Sequence, residues 1–178
     1  MPTIRIHNKL FELFISEKEI VSAVERLAQQ ITVDMQGKEL FFIAILNGSF
    51  MFAADLLKNI ELPCNVSFIR LQSYEGIHTS ARIKEIHSLS DCIEGKNVVI
   101  IEDIIETGHT MNYLLSQLQV QKPMSVHVAT LLFKPFALLV DVLPDYVAFK
   151  IPNDFVVGYG LDYDGYGRNL KDIYKVKN

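Results

Sequence analysis

The sequence predicts an α/β domain built on a central, mostly parallel sheet flanked by helices. Two observations carry the parallel sheet. Leu40–Leu46 and residues 98–101 are short, unbroken apolar runs, the second wholly β-branched, as in strands buried on both faces. Each run leads into small residues, Asn47-Gly48-Ser49 and Thr107-Gly108-His109-Thr110, and then into a helical pattern. A third observation gives the flanking helix. Ser16-Glu-Lys-Glu19 has the form of a capping box, and Ile20, Val24, Leu27, Ala28 and Ile31 follow at helical spacing.

Taken in order, residues 3–13 alternate weakly and suit a peripheral strand. The first helix follows, with Gly37 as its stop. The strand over 40–46 ends in the Asn47-Gly48-Ser49 turn, and a helix runs to about residue 59. Residues 65–71 read as a third strand and 82–88 as a further one, with the polar, aperiodic stretch 72–80 between them. After the run at 98–101 comes a helix ending before Lys122-Pro123. A strand over 125–133 leads to Lys134. Two short strands, 146–151 and 155–157, lie around Pro152-Asn153. Pro63 and Gly95 mark boundaries of elements, so the 178 residues make one domain, long enough to bury about 70% of the unfolded surface.

Composition narrows the function. A net charge of −4 advertises no general nucleic-acid surface. No apolar run approaches the ~20 residues that span a bilayer, and residues 1–7 lack a signal peptide's apolar stretch. Cys64 and Cys92 are far apart and form no metal-ligand spacing, and the histidines form none either. A cytoplasmic chain with reduced thiols and no membrane partner is the expectation.

The chemistry concentrates at residues 97–110. Glu102 and Asp103 stand where the strand is expected to end, and Glu106 precedes Thr107-Gly108-His109-Thr110. Small residues opening a helix leave N–H groups free, and the helix dipole favours an anion there. One side of the segment suits a phosphate. The other carries acids suited to ribose hydroxyls, a metal, or both. The Asn47-Gly48-Ser49 turn has the same anion-binding form, although on local evidence alone a plain strand-to-helix turn is the better reading.

This pattern of apolar strand, two acids, two apolar residues, acid and Thr-Gly-x-Thr resembles the 5-phosphoribosyl 1-diphosphate (PRPP) motif of type I phosphoribosyltransferases. Ile-Pro-Asn-Asp-Phe-Val-Val-Gly-Tyr-Gly-Leu-Asp-Tyr, residues 151–163, resembles the C-terminal signature of that family's hypoxanthine(-guanine) branch. The likeness spans roughly residues 40–170. It implies the family fold, with a small hood formed by N- and C-terminal segments and a mobile loop near 72–85 that includes Ser73 and Tyr74.

By the same resemblance, Glu102, Asp103, Glu106, Thr107, Gly108, His109 and Thr110 bind the ribose and 5′-phosphate, and Glu106 is the catalytic base. Asn47 and Gly48 bind pyrophosphate with Arg168, through a cis Leu46–Asn47 bond that turns an amide toward the ligand. Lys134, within Leu-Leu-x-Lys, donates to the 6-oxo group of a purine. Phe155 stacks on the ring, the Val156 backbone meets its pyrimidine edge, and Asp162 lies beside the Mg²⁺ ion or its water. Glu102 and Asp103 are also candidate metal ligands. The implied cofactor is Mg²⁺. The implied partners are PRPP, hypoxanthine or guanine, IMP or GMP, pyrophosphate, and further copies of the chain in a homodimer or homotetramer.

Two residues depart from the family pattern. Its purine enzymes have Asp where this chain has Glu106, one methylene longer, and commonly Lys where it has His109. Rival readings are a xanthine-preferring sibling, a PRPP-binding RNA attenuator, which the acidic balance disfavours, and a phospho-receiver module. Receiver modules are shorter and carry their acid pair near the beginning. The shared 6-oxo group leaves the preference between hypoxanthine and guanine open.

Overall fold

In the computed structural model, the structure describes residues 2–74, 82–87 and 91–177. Among the described residues, ten strands form two sheets, accompanied by three α-helices. β1 (Thr3–Ile6) and β2 (Lys9–Ile15) precede α1 (Glu17–Asp34), β3 (Leu40–Leu46), α2 (Phe50–Lys58), β4 (Cys64–Tyr74), β5 (Arg82–His87) and β6 (Asn97–Ile105). α3 (His109–Val120), β7 (Ser125–Phe133), β8 (Tyr146–Lys150), β9 (Val156–Val157) and β10 (Ile173–Val176) complete the chain.

The large sheet has the order β5-β4-β3-β6-β7-β8. Its five strands from β4 to β8 are parallel, and β5 is an antiparallel edge. Parallel strands need crossovers, and helices supply them on both faces. Leu40, Phe42 and Ala44 of β3 pack with α1 and α2, whereas Phe41, Ile43 and Ile45 pack with α3. Successive side chains point to opposite faces, so a strand covered on both sides reads as one apolar run.

The capping box at α1 is closed: the Ser16 N–H donates to Glu19 Oε2 at 2.9 Å. The Glu17 N–H donates to Asp172 Oδ1 at 2.8 Å, which fastens the helix start to the C-terminal segment. Residues 3–13, read as one strand, are instead a hairpin, with His7 at φ 50° in its turn. β10 was not foreseen. It joins β2 to β9, so the N- and C-terminal segments make a second, antiparallel sheet in the order β1-β2-β10-β9 around Phe11, Val157 and Tyr174.

β4 runs further than the 65–71 of its apolar pattern. Ser73 and Tyr74 pair with Ile83 and Arg82 of β5. The tip of the expected mobile loop, residues 75–81, lies outside the described residues. Among the described residues no helix is long and apolar enough to cross a membrane.

Phe42 is fully buried between the sheet and α1/α2. Phe42→Ala is expected to cost about 3–5 kcal/mol in urea unfolding, against less than about 0.5 for the exposed Val33→Ala.

Candidate active site

The site forms where β3 and β6 part. Their ladder pairs Leu40 with Asn97 and ends at Ala44 with Ile101. Beyond it, Leu46 still pairs with Arg70 of β4, while β6 continues beside β7 to Ile105 and Phe133. From β3 the chain passes through α2 to β4 on one side, and from β6 through α3 to β7 on the other. This is the switch point at which open α/β sheets bind ligands. Glu102 and Asp103 were expected at the end of the strand. They lie inside β6, past the end of its ladder with β3, where Glu102 pairs with Thr130 of β7.

A cavity of about 190 Å³ occupies that opening, lined by Leu46, Gly48, Glu102, Asp103 and Thr110. A larger one of about 420 Å³ lies by the first hairpin, against Arg5, His7, Tyr166 and Asn169, and holds none of the expected site residues. The smaller one is therefore the cavity that gathers the expected residues.

Gly48 is required by contact. A Cβ there would lie 1.6 Å from Asp103 Oδ2. The Leu46–Asn47 bond is cis. Gly160, at φ 100°, presses on the same turn from the opposite side, and a Cβ on it would lie 2.0 Å from the Gly48 carbonyl oxygen. Arg168 Nη1 donates to the Gly160 carbonyl at 2.7 Å, and its Nη2 pairs with Asp162 Oδ1 at 2.6 Å. Asp162 Oδ2 accepts from the Gly165 N–H at 2.6 Å, so both its oxygens are committed within the loop. The contacts thus run from Asp103 through Gly48 and Gly160 to Arg168 and Asp162.

That loop is anchored from below by a residue pair absent from the sequence reading. The buried Tyr159 donates its hydroxyl to Asp55 Oδ2 of α2 at 2.5 Å. Burial pushes the phenol above its ordinary range, and the Asp55 hydrogen bond and charge push it the same way. No spacing in the sequence links residues 104 positions apart. Only the aromatic between two glycines hinted at a tethered turn.

Glu102 is buried, and its carboxyl is held well above the ordinary carboxylate range. Burial is the main cause, and the Asp103 charge adds to it. The Asp103 N–H donates to Glu102 Oε1 at 3.2 Å.

Glu106, half exposed, ends the strand, and its carboxylate is paired with the buried Lys134 ammonium at the end of β7. Thr107 and His109 are exposed, and Gly108 takes φ 81° at the N-terminus of α3, which no side chain caps. The Ile151 N–H donates to the Phe133 carbonyl beside Lys134, so the chain leaving β8 starts next to that lysine and reaches Phe155 four residues on. Phe155 is 42% exposed, with its ring edge-on to Tyr163 at 5.6 Å, whereas Val156 is buried in β9.

Among the described residues no group of three or more His, Cys, Asp or Glu is placed to hold a metal. The donor set at the cavity is two adjacent carboxylates, which suits Mg²⁺, an ion that takes one or two carboxylates plus substrate phosphate oxygens.

A phosphoribosyl transferase domain model matches residues 15–164. The chain is 42% identical over 173 residues to a hypoxanthine-guanine phosphoribosyltransferase of Staphylococcus aureus (strain N315), covering 97% of each. It is also similar to the solved hypoxanthine phosphoribosyltransferase from S. aureus, with TM-score 0.90 and 42% identity over 96% of this chain and 94% of that one. A hypoxanthine-guanine phosphoribosyltransferase from Bacillus anthracis gives TM-score 0.88 and 40% identity over 94% and 97%.

The two glycine contacts predict different defects. Gly48→Ala displaces the Asp103 carboxylate and should lower turnover about 10²-fold with little loss of stability. Gly160→Ala meets backbone at a left-handed φ and should destabilise the fold by at least about 1–2 kcal/mol. Turnover and thermal midpoints of the two variants separate the effects.

Glu102 predicts a pH dependence. The folded protein binds its proton more tightly than the unfolded chain, so native stability falls as pH rises from the ordinary carboxyl range through the raised folded value. Glu102→Gln escapes that loss. In buffer free of divalent cations it should melt higher than the parent at pH 8, each kcal/mol recovered being worth about 2–4 °C. The gain should vanish below the ordinary carboxyl range.

Proposed function

Because the chain belongs to the phosphoribosyl transferase family, at 42% identity to a hypoxanthine-guanine phosphoribosyltransferase, we propose the following reading of its site. The protein transfers the 5-phosphoribosyl group of PRPP to a 6-oxopurine, hypoxanthine or guanine, and releases IMP or GMP and pyrophosphate in purine salvage. One observation carries the base assignment: the buried Lys134 ammonium and the Glu106 carboxylate meet beside the acid-lined opening between β3 and β6.

The 5′-phosphate sits on the turn from Glu106 to Thr110, where the uncapped start of α3 offers amides and dipole. His109 points to solvent and belongs to this turn through its backbone. Glu102 and Asp103 accept from the ribose hydroxyls. The base lies against Phe155, with its 6-oxo group on Lys134 and its pyrimidine edge at the Val156 backbone. Ser73 and Tyr74, at the outer end of β4, belong to the cover that keeps water from the reacting carbon.

A purine nitrogen attacks C1′, the bond from C1′ to the pyrophosphate oxygen breaks, and the nitrogen's proton passes to Glu106. The Asn47–Gly48 turn and Arg168 receive the departing negative charge, with Asp162 holding Arg168 in place. Mg²⁺, held through Glu102 and Asp103 together with the substrate, would supply further positive charge to the leaving group.

A PRPP- and Mg²⁺-dependent assay over hypoxanthine, guanine, xanthine and adenine tests the reading. Hypoxanthine and guanine should turn over. Adenine, which sets a donor against the Lys134 donor, should be poorer by about 10⁴-fold. Glu106→Gln should lower kcat about 10²–10⁴-fold with PRPP affinity nearly unchanged. Adenine turning over as fast as hypoxanthine would refute the base assignment, and an unchanged kcat would remove Glu106 from the base role.

A further inference from the structure

The unliganded site already satisfies its own base-binding cation. The Lys134 side chain is 6% exposed and Glu106 is 49% exposed. A buried ammonium without an acceptor is costly, so Lys134 keeps a partner at all times. Glu106 is the half of the pair that can leave, since its carboxylate borders solvent. The backbone holds the two in register. The Lys134 N–H donates to the Ile105 carbonyl at 2.9 Å, and Ile105 pairs with Phe133, so both side chains leave adjacent parallel strands one residue later.

Resting on the reading above, we infer that the Glu106–Lys134 pair is a placeholder lock on the base subsite. In the free protein the Glu106 carboxylate takes the acceptor position on Lys134 that the 6-oxo oxygen takes in the complex. A 6-oxopurine presents an acceptor, the 6-oxo group, next to a donor, the imidazole N–H. It therefore fits between the separated partners, with its acceptor to the ammonium and its donor to the carboxylate. One charge-assisted hydrogen bond is lost and two are made. A base lacking the 6-oxo acceptor breaks the pair and leaves the buried ammonium unsatisfied, so the lock also screens bases. Its cost is standing competition, since every 6-oxo ligand first displaces a carboxylate.

Calorimetric titration of the parent protein and of Glu106→Ala tests this with three probes: inosine 5′-monophosphate, its 7-deaza analogue and ribose 5-phosphate. Removing the competitor should tighten both nucleotides by about 10- to 150-fold, in line with one charged hydrogen bond. Ribose 5-phosphate, which brings no base, should bind unchanged. Equal or weaker nucleotide binding to the variant overturns the lock. Tightening of inosine 5′-monophosphate alone also overturns it, because that pattern reports relief of repulsion between the carboxylate and the N7 lone pair, which the 7-deaza analogue lacks. If the parent protein binds none of the three, the functional reading fails and the lock falls with it. Glu106→Gln, with a neutral and weaker acceptor of the same shape, should show the same pattern at smaller amplitude, and it decides the matter should the alanine variant not fold.

Discussion

The site depends on one interruption in the sheet. β3 and β6 are hydrogen-bonded neighbours as far as Ala44 and Ile101, and then each follows its outer partner. The parting of two parallel strands leaves polar backbone unpaired at the centre of a buried sheet, so something must fill the opening. Here the filling is the Asn47–Gly48 turn from one side and Asp103 from the other, and they fit because Gly48 has no side chain. Gly160 repeats the device one layer out, which lets the C-terminal loop close on the turn without prising it from Asp103. Tyr159, between Gly158 and Gly160, ties that loop to α2 through Asp55. α2 itself begins just after the turn it helps to cover. The support is thus local on one side and distant in sequence on the other, and the turn is held from both.

How much of this the sequence disclosed follows from how each part is encoded. Buried parallel strands announce themselves because both faces must be apolar, and β3, β6 and β7 were legible for that reason. The capping box was legible because its two partners lie within one turn of helix. The acids, the phosphate turn and Lys134 were legible through resemblance, since a motif records a ligand's demands within a short span. The second sheet was less so. β1, β2 and β10 each have one covered face, and residues 173–176 meet β2 only across most of the chain's length. The continuation of β4 through Ser73 and Tyr74 was hidden because an antiparallel edge needs no apolar run. The contacts of Gly160 on Gly48 and of Glu106 with Lys134 are long-range and leave no local signature.

Charge arithmetic at the site runs against an anionic ligand. Lys134 is matched by Glu106, and Arg168 by Asp162. Among the described residues, Glu102 and Asp103 appear in no ion pair with either cation, and their mutual repulsion together with burial raises the proton affinity of Glu102. A ligand carrying a 5′-phosphate and a pyrophosphate adds several more negative charges to that opening. Backbone amides and one arginine offset part of this, but the amides of the Asn47–Gly48 turn carry only partial charge. On the reading proposed above, a divalent ion held through Glu102 and Asp103 would relieve both the repulsion between the acids and that between acids and ligand. The same arithmetic sets the character of Lys134. Its partner, Glu106, borders solvent, so parting the pair strands no buried carboxylate, whereas the buried Glu102 has no such exit.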